Sequence, residues 1–265
     1  MTHREYREAF DRISFSPDFP ERTEALLRRQ ADSAAAERNY PMNRTKKTTL
    51  LIAAAIALLT LSVSAALVWL TPAQVAERTA QPLLAAAFES DSAVVINESR
   101  TVGDCTVTLS GLVSGADLSR CPAEYNGELI SDRTYAVFSL ARTDGQPLEE
   151  LPDSLSYSPL VSGYHVRAVN SWTLGAGCQS FVEGGVAYYL YDTRNLEMFA
   201  DHTVYFAVYE GGVPSPALFP TVEDGTISLA PDVTGALFTL PLDPAQADPA
   251  AAEAFVEATG LEFIG

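Results

Sequence analysis

Residues 48–70 read TTLLIAAAIALLTLSVSAALVWL. From Leu50 to Leu70 there is no charge, no proline and no glycine. The polar residues are only Thr60, Ser62 and Ser64, whose hydroxyls can bond back to helix carbonyls. At about 1.5 Å per residue, twenty-odd apolar residues make a rod of about 30 Å, enough to cross the hydrocarbon core of a bilayer. A soluble helix of this length carries a polar stripe, and this stretch has none. Arg44, Lys46 and Lys47 stand before it, Thr71-Pro72 ends it, and Trp69 falls where an interfacial aromatic sits. Ser64-Ala65-Ala66 resembles a signal cleavage site. The apolar run is too long for a signal peptide, however, and 47 residues precede it. The expectation is a retained transmembrane helix over 48–70.

Charge sorts on either side of that stretch. Residues 1–47 hold ten Lys/Arg and eight Asp/Glu, a net of +2; the rest holds seven Arg, no Lys and 26 Asp/Glu, a net of −19, which together give the −17 of the whole chain. Basic residues beside a span stay in the cytoplasm. The reading is therefore a cell-membrane protein, single-pass, with its N-terminus cytoplasmic and its C-terminal part extracytoplasmic. It divides into a helical cytoplasmic head (1–38), a basic juxtamembrane linker (39–47), the transmembrane helix (48–70), a stalk (71–91) and an outer domain (92–265). The acidity of the outer part argues against direct nucleic acid or anionic lipid as partner. The outer part is long enough for a real core, whereas the head is too short for a robust one.

The head reads as two short helices. Thr2 and Glu5 make a Thr-x-x-Glu capping box. Tyr6, Phe10 and Ile13 then fall at i, i+4 and i+7, one apolar stripe on a charged segment. Pro17 and Pro20 break the chain into a second helix whose main apolar residues are Leu26 and Leu27. So few large residues bury too little area to offset backbone ordering. A partner that covers Tyr6, Phe10 and Ile13 would stabilise the segment; the other reading is a tail that only sets topology.

Residues 71–91 are alanine-rich and interrupted by Pro82, which suggests a helical turn or two on either side. From Ser92 the texture changes to short β-branched and aromatic runs separated by Gly, Asp and Pro. Strands are expected over Ala93–Asn97, Cys105–Val113, Thr134–Arg142, Tyr164–Leu174, Gly185–Tyr191, Thr203–Glu210, Thr226–Leu229 and Ala236–Leu240. Asp144-Gly145, Gly184-Gly185, Gly211-Gly212 and Asp224-Gly225 signal turns. Thr193 to Ala200 reads as a short helix. Asp248-Pro249 with Gly260 marks a helix over 249–259. The fold class is mainly β, an antiparallel sandwich-like domain with a C-terminal helix.

The chemistry-bearing residues are sparse. Cys105, Cys121 and Cys178 all follow the apolar stretch. One disulfide plus a free thiol is one reading, with the short loop of Cys105 and Cys121 the candidate pair; three unpaired buried thiols is the other. No Cys-x-x-Cys supports zinc, and the acidic residues lack calcium-loop spacing. His165 and His202 lie at expected strand borders, where adjacent Asp201 and His202 would point to opposite faces. No elbow frames a nucleophile and no glycine-rich loop cradles phosphate. The expectation is a binding protein, not an enzyme, with no cofactor and no metal. Tyr188, Tyr189, Tyr191, Tyr205, Phe206 and Tyr209 read as core and cross-strand pairs rather than a sugar platform.

Three motifs carry a resemblance: Tyr6-Arg7-Glu8-Ala9-Phe10-Asp11-Arg12-Ile13 with Ser16-Pro17, then Lys46-Lys47 before the apolar stretch, then Thr134-Tyr135-Ala136-Val137-Phe138 leading to Asp144-Gly145. The layout resembles membrane-anchored anti-sigma-like regulators of Gram-positive bacteria, which have a helical cytoplasmic head, one span and an all-β outer domain. The resemblance implies that the head sequesters an extracytoplasmic-function sigma factor through Tyr6, Phe10, Ile13, Leu26 and Leu27. It also implies that the outer domain receives an envelope cue. The head has His3 and no cysteine, so it departs from the zinc-type anti-sigma pattern. The alternative function is a cell-surface or envelope-assembly binding protein with no sigma-factor partner. A surface hydrolase would need His165 or His202 gathered with carboxylates in one pocket.

Overall fold

The computed structural model describes residues 69–260, apart from 120–122, 126 and 223–224. The expected head with Tyr6, Phe10, Ile13, Leu26 and Leu27, the basic cluster Arg44, Lys46 and Lys47, and the apolar stretch up to residue 68 lie outside the described residues.

The described part is mainly β, with antiparallel sheets and few helices. In chain order it has α1 (Pro72–Arg78), α2 (Pro82–Phe88), β1 (Val94–Val102), β2 (Cys105–Ala116), β3 (Ala123–Tyr125), β4 (Glu128–Ile130) and β5 (Asp132–Arg142). Then follow β6 (Leu155–Val161), β7 (Gly177–Glu183), β8 (Val186–Arg194), β9 (Val204–Glu210), β10 (Gly235–Thr239) and α3 (Pro249–Ala258). A five-stranded sheet runs β1-β2-β5-β8-β7, a three-stranded sheet runs β10-β9-β6, and β3 pairs with β4. Hairpin β7–β8 turns on Gly184-Gly185, both at positive φ, as a two-residue primed turn requires. The β1–β2 pairing tolerates a bulged β2 because Gly111 has no side chain: a Cβ there would lie 2.7 Å from the Val94 carbonyl.

Alternation assigns the faces. In β5, Ala136, Phe138 and Leu140 point to one core cluster and Tyr135, Val137 and Ala141 to another. In β8, Ala187, Tyr189 and Tyr191 share the first cluster and Val186, Tyr188 and Leu190 the second. The first cluster also takes Phe206 and Val208 of β9 and Phe238 of β10, so the two sheets meet face to face over it. Five rings fill its centre: Phe138 stacks on Tyr189 at 4.6 Å, and Tyr157, Tyr191 and Phe206 pack around them. Burying each such side chain contributes roughly 1.5–3 kcal/mol. The far face of the small sheet, with Leu160, Ala207 and Tyr209, is covered by Val166, Phe219 and Ile227.

The far face of the large sheet is covered by residues expected to be a stalk. Val75, Ala76, Leu84 and Ala85 of α1 and α2 are buried against Val113, Val137, Tyr188 and Leu190. Thr71-Pro72 starts α1. Thr71 Oγ accepts from the Gln74 N–H, Gln74 Oε1 accepts from the Thr71 N–H, and Pro72 opens the helix.

The single-pass membrane localisation is corrected here. Among the described residues no helix is long and apolar enough to cross a membrane. Leu70, read as the last residue of a span, is 9% exposed in the cluster under α1 and α2, and its N–H donates to the Tyr188 hydroxyl at 3.2 Å. Trp69, read as an interfacial anchor, is exposed and lies outside that cluster.

Two expected strands are corrected as well. Residues 164–174 form turns, because Asn170, Ser171 and Thr173 satisfy the backbone locally. Thr226–Leu229 contributes only an isolated bridge, Thr221 to Ile227. Four strands went unread: β3, β4, β6 and β7. β6 carries Pro159, which it tolerates as an edge strand.

Candidate functional site

The links β6–β7 (162–176) and β9–β10 (211–234) bound a groove of about 320 Å³, lined by Arg167, Asn170, Trp172, Thr173, Val213, Pro214 and Ser215. Trp172 is 76% exposed and Val213 64% exposed, the first and third most exposed large apolar side chains among the described residues. Isolated exposed apolar residues mean little, but these two share one concave surface.

The Trp172 loop is held by its own hydrogen bonds. Asn170, 2% exposed, donates through Nδ2 to the Val166 and Arg167 carbonyls and accepts through Oδ1 from the Trp172 and Thr173 N–H groups. Thr173 Oγ accepts from the Asn170 N–H and donates to the Asn170 carbonyl. Ser171 ties the loop to β6: its N–H donates to Ser158 Oγ and its hydroxyl to the Tyr157 carbonyl. The N–H groups of Leu174, Gly175 and Ala176 bond to the carbonyls of Asn170, Trp172 and Ser171. His165 holds the near end, accepting from the Arg167 N–H through Nδ1 and from the Ala168 and Val169 N–H groups through its carbonyl. Every amide from 167 to 176 is thus donated, so the indole stands on an ordered platform. Across the groove, the Tyr209 hydroxyl donates to the Gly212 carbonyl and fixes the approach to Val213.

One prediction arises here. Burial first, and the Arg167 cation second, hold the His165 imidazole below its ordinary value of 6.5. A depressed histidine contributes stability that is complete above 6.5 and is lost as pH falls through its lower folded value. Amide protection at Arg167, Ala168 and Val169 should therefore drop, beyond the intrinsic rate change, between about pH 7 and pH 5. Equal protection factors across that range would exclude His165 as the pin.

The other residues singled out by sequence fall elsewhere. Cys105 carries a buried free thiol that donates to Asp104; Cys121, its candidate partner, lies outside the described residues. Cys178 is also a free thiol, and burial pushes it up to about 11. A thiol so protonated is a poor nucleophile. Asp201 and His202 lie in a turn rather than on a strand, 3.9 Å apart, with His202 against the Tyr164 ring. Neither His165 nor His202 lines the groove. Tyr188, Tyr189, Tyr191, Phe206 and Tyr209 are buried, and Tyr205 is half-buried. Among the described residues no three His, Cys, Asp or Glu side chains gather as metal ligands.

Among the described residues Glu197 is the buried carboxylate. It accepts from Ser114 Oγ at 3.3 Å and from the Asp243 N–H at 3.2 Å, and burial raises its pKa. It joins β2 to the segment before α3, a structural tie far from any groove lining. Trp172 was passed over within a supposed strand. The signal for it was Asn170-Ser171-Trp172-Thr173, where residues that hydrogen-bond their own backbone flank an indole.

Compared with known proteins, the chain matches no family model, no curated protein and no solved structure.

Proposed function

We propose that this chain is a binding protein whose β domain recognises a protein partner through the Trp172 groove. One observation carries the reading: an indole 76% exposed on a loop whose amides are all donated, facing an exposed Val213. Water-exposed tryptophan is unfavourable for an isolated domain, and tryptophan is enriched among residues that dominate interface energies. Holding it on an ordered loop lowers the entropy lost on binding. The test is selection of a random-peptide display library on the full chain, with counter-selection on Trp172→Ala. Enriched sequences that lose binding to the variant support the reading. A library without enrichment, or clones that bind the variant equally, overturns it.

A second reading attaches to residues 1–38, where Tyr6, Phe10 and Ile13 make one stripe with Leu26 and Leu27 beyond it. Three large apolar residues at helical spacing in a charged segment suit helix-in-groove binding of a sigma factor. Losing one buried side chain removes roughly 1.5–3 kcal/mol, about tenfold to a hundredfold in affinity. In a pull-down with an extracytoplasmic-function sigma factor, Phe10→Ala should weaken capture by that much and Arg4→Ala should change it little. A wild-type chain that captures no sigma factor removes this reading and leaves the groove untouched.

A further inference from the structure

Resting on the groove reading above, we infer that the groove takes an extended protein segment in which a bulky apolar side chain lies next to an aspartate or glutamate. The argument starts from charge. After residue 47 the chain has seven arginines and no lysine against 26 acidic residues. Of the six described, Arg78 pairs with Glu183, Arg100 with Glu98, Arg133 with Asp192, and Arg142 with Asp104 and Asp144, while Arg194 lies over the Phe255 ring. Arg167 is exposed, lines the groove, and makes no ion pair among the described residues. In so acidic a domain an uncommitted guanidinium on a concave apolar surface complements an anion.

The lining then selects the class of anion. Trp172, Val213 and Pro214 make an apolar wall. Asn170 and Thr173 also line the groove, but their polar groups are used within the loop. Among the side chains, that leaves Ser215, Arg167 and the Trp172 indole N–H to meet polar ligand atoms, too few to read the hydroxyls of an oligosaccharide. A terminal carboxylate is held by a nest of free N–H groups, and the amides of residues 167–176 are all donated elsewhere. An acidic side chain reaching Arg167 as a fork-to-carboxylate pair is what remains. The neighbouring apolar side chain would pack on Trp172 and Val213. A volume of about 320 Å³ lies at the small end of ligand pockets and suits one or two side chains.

The probe is an array of immobilised decapeptides in which Phe, Leu or Ala precedes Glu, Gln or Lys, read with the full chain. Phe-Glu and Leu-Glu peptides should bind, and Gln in place of Glu should cost about tenfold or more. Arg167→Glu should reverse the preference toward Lys, a gain that a misfolded variant cannot give. Trp172→Ala should abolish binding to every peptide. If Trp172→Ala abolishes binding but Arg167→Glu leaves the charge preference unchanged, the groove stands and the acidic segment is wrong. If Trp172→Ala binds as wild type, the groove reading itself falls. No peptide above background, or Trp172-dependent binding only to a uronic-acid oligosaccharide, overturns the inference.

Discussion

Asp192→Ala should destabilise the domain by about 3–5 kcal/mol, because it strands a buried cation. The Arg133 side chain is 2% exposed. Its Nε and Nη2 donate to Asp192 Oδ2 at 2.7 and 2.5 Å, and Nη2 also donates to the Gly175 carbonyl at 2.8 Å, while Nη1 makes no hydrogen bond. Arg133 and Asp192 sit on neighbouring interior strands, near the start of β5 and the end of β8. The guanidinium cannot swing out to water without opening that pairing. A loss of this size is a large share of the 5–15 kcal/mol that holds a typical domain together. Urea unfolding of the full chain, followed by circular dichroism, would read it as a lower midpoint. Asp192→Asn keeps an acceptor oxygen and should cost less. Replacing both residues, Arg133→Leu with Asp192→Ala, should recover most of the loss, since removing the pair also removes its desolvation penalty. Glu183→Ala is the control: its pair with Arg78 is exposed on both sides and should barely move the midpoint. A cost for Asp192→Ala no greater than for Glu183→Ala would show that Arg133 is solvated on removal of its partner.

Strands whose burial alternates were legible from the residues, and so were ends that carry their own chemistry. Cys105–Val113 lies within β2, and Thr203–Glu210 is β9 to within one residue. Asp248 caps α3 by accepting from the Ala251 N–H, as its place before Pro249 suggested. What stayed illegible depends on contacts between distant segments. Ala73, Val75 and Ala76 spell a weak helix in isolation, and only Val137, Tyr188 and Leu190 beneath them make it a layer of the core. The β-branched and aromatic texture of 164–174 suggested a strand, but Asn170 and Thr173 closed the backbone on itself first. The same competition hid the groove. Tyr188 and Trp172 are both aromatic residues within expected strands, and one is buried because α1 and α2 cover its face, while the other stands outside on its loop. Exposure is a property of what folds over a residue, and neither periodicity nor composition reports it.

Trp172→Ala should leave the unfolding midpoint unchanged within error and reduce peptide binding at least thirtyfold. The two halves follow from one number. A side chain 76% exposed returns little burial energy to the fold, so its removal creates no cavity. The same side chain, covered by a partner, is the largest apolar contribution the groove can make, and such central tryptophans cost about 2 kcal/mol or more when truncated. That energy is roughly thirtyfold in affinity. Asn170→Ala tests the platform beneath it. Its loss would orphan the Trp172 and Thr173 N–H groups and the Val166 and Arg167 carbonyls, at about 1–3 kcal/mol for buried groups left unpaired. Binding should then fall even though Trp172 is intact, because the indole must be ordered again at each encounter. Asn170→Asp separates the two contributions. It keeps both bonds accepted from Trp172 and Thr173 but cannot donate to the two carbonyls, so it should bind better than Asn170→Ala. If Asn170→Ala binds as tightly as wild type while Trp172→Ala does not, the indole alone is recognised and the ordered loop adds nothing. If Trp172→Ala lowers the midpoint by as much as a buried aromatic would, Trp172 belongs to the core and the groove is not where a partner is held.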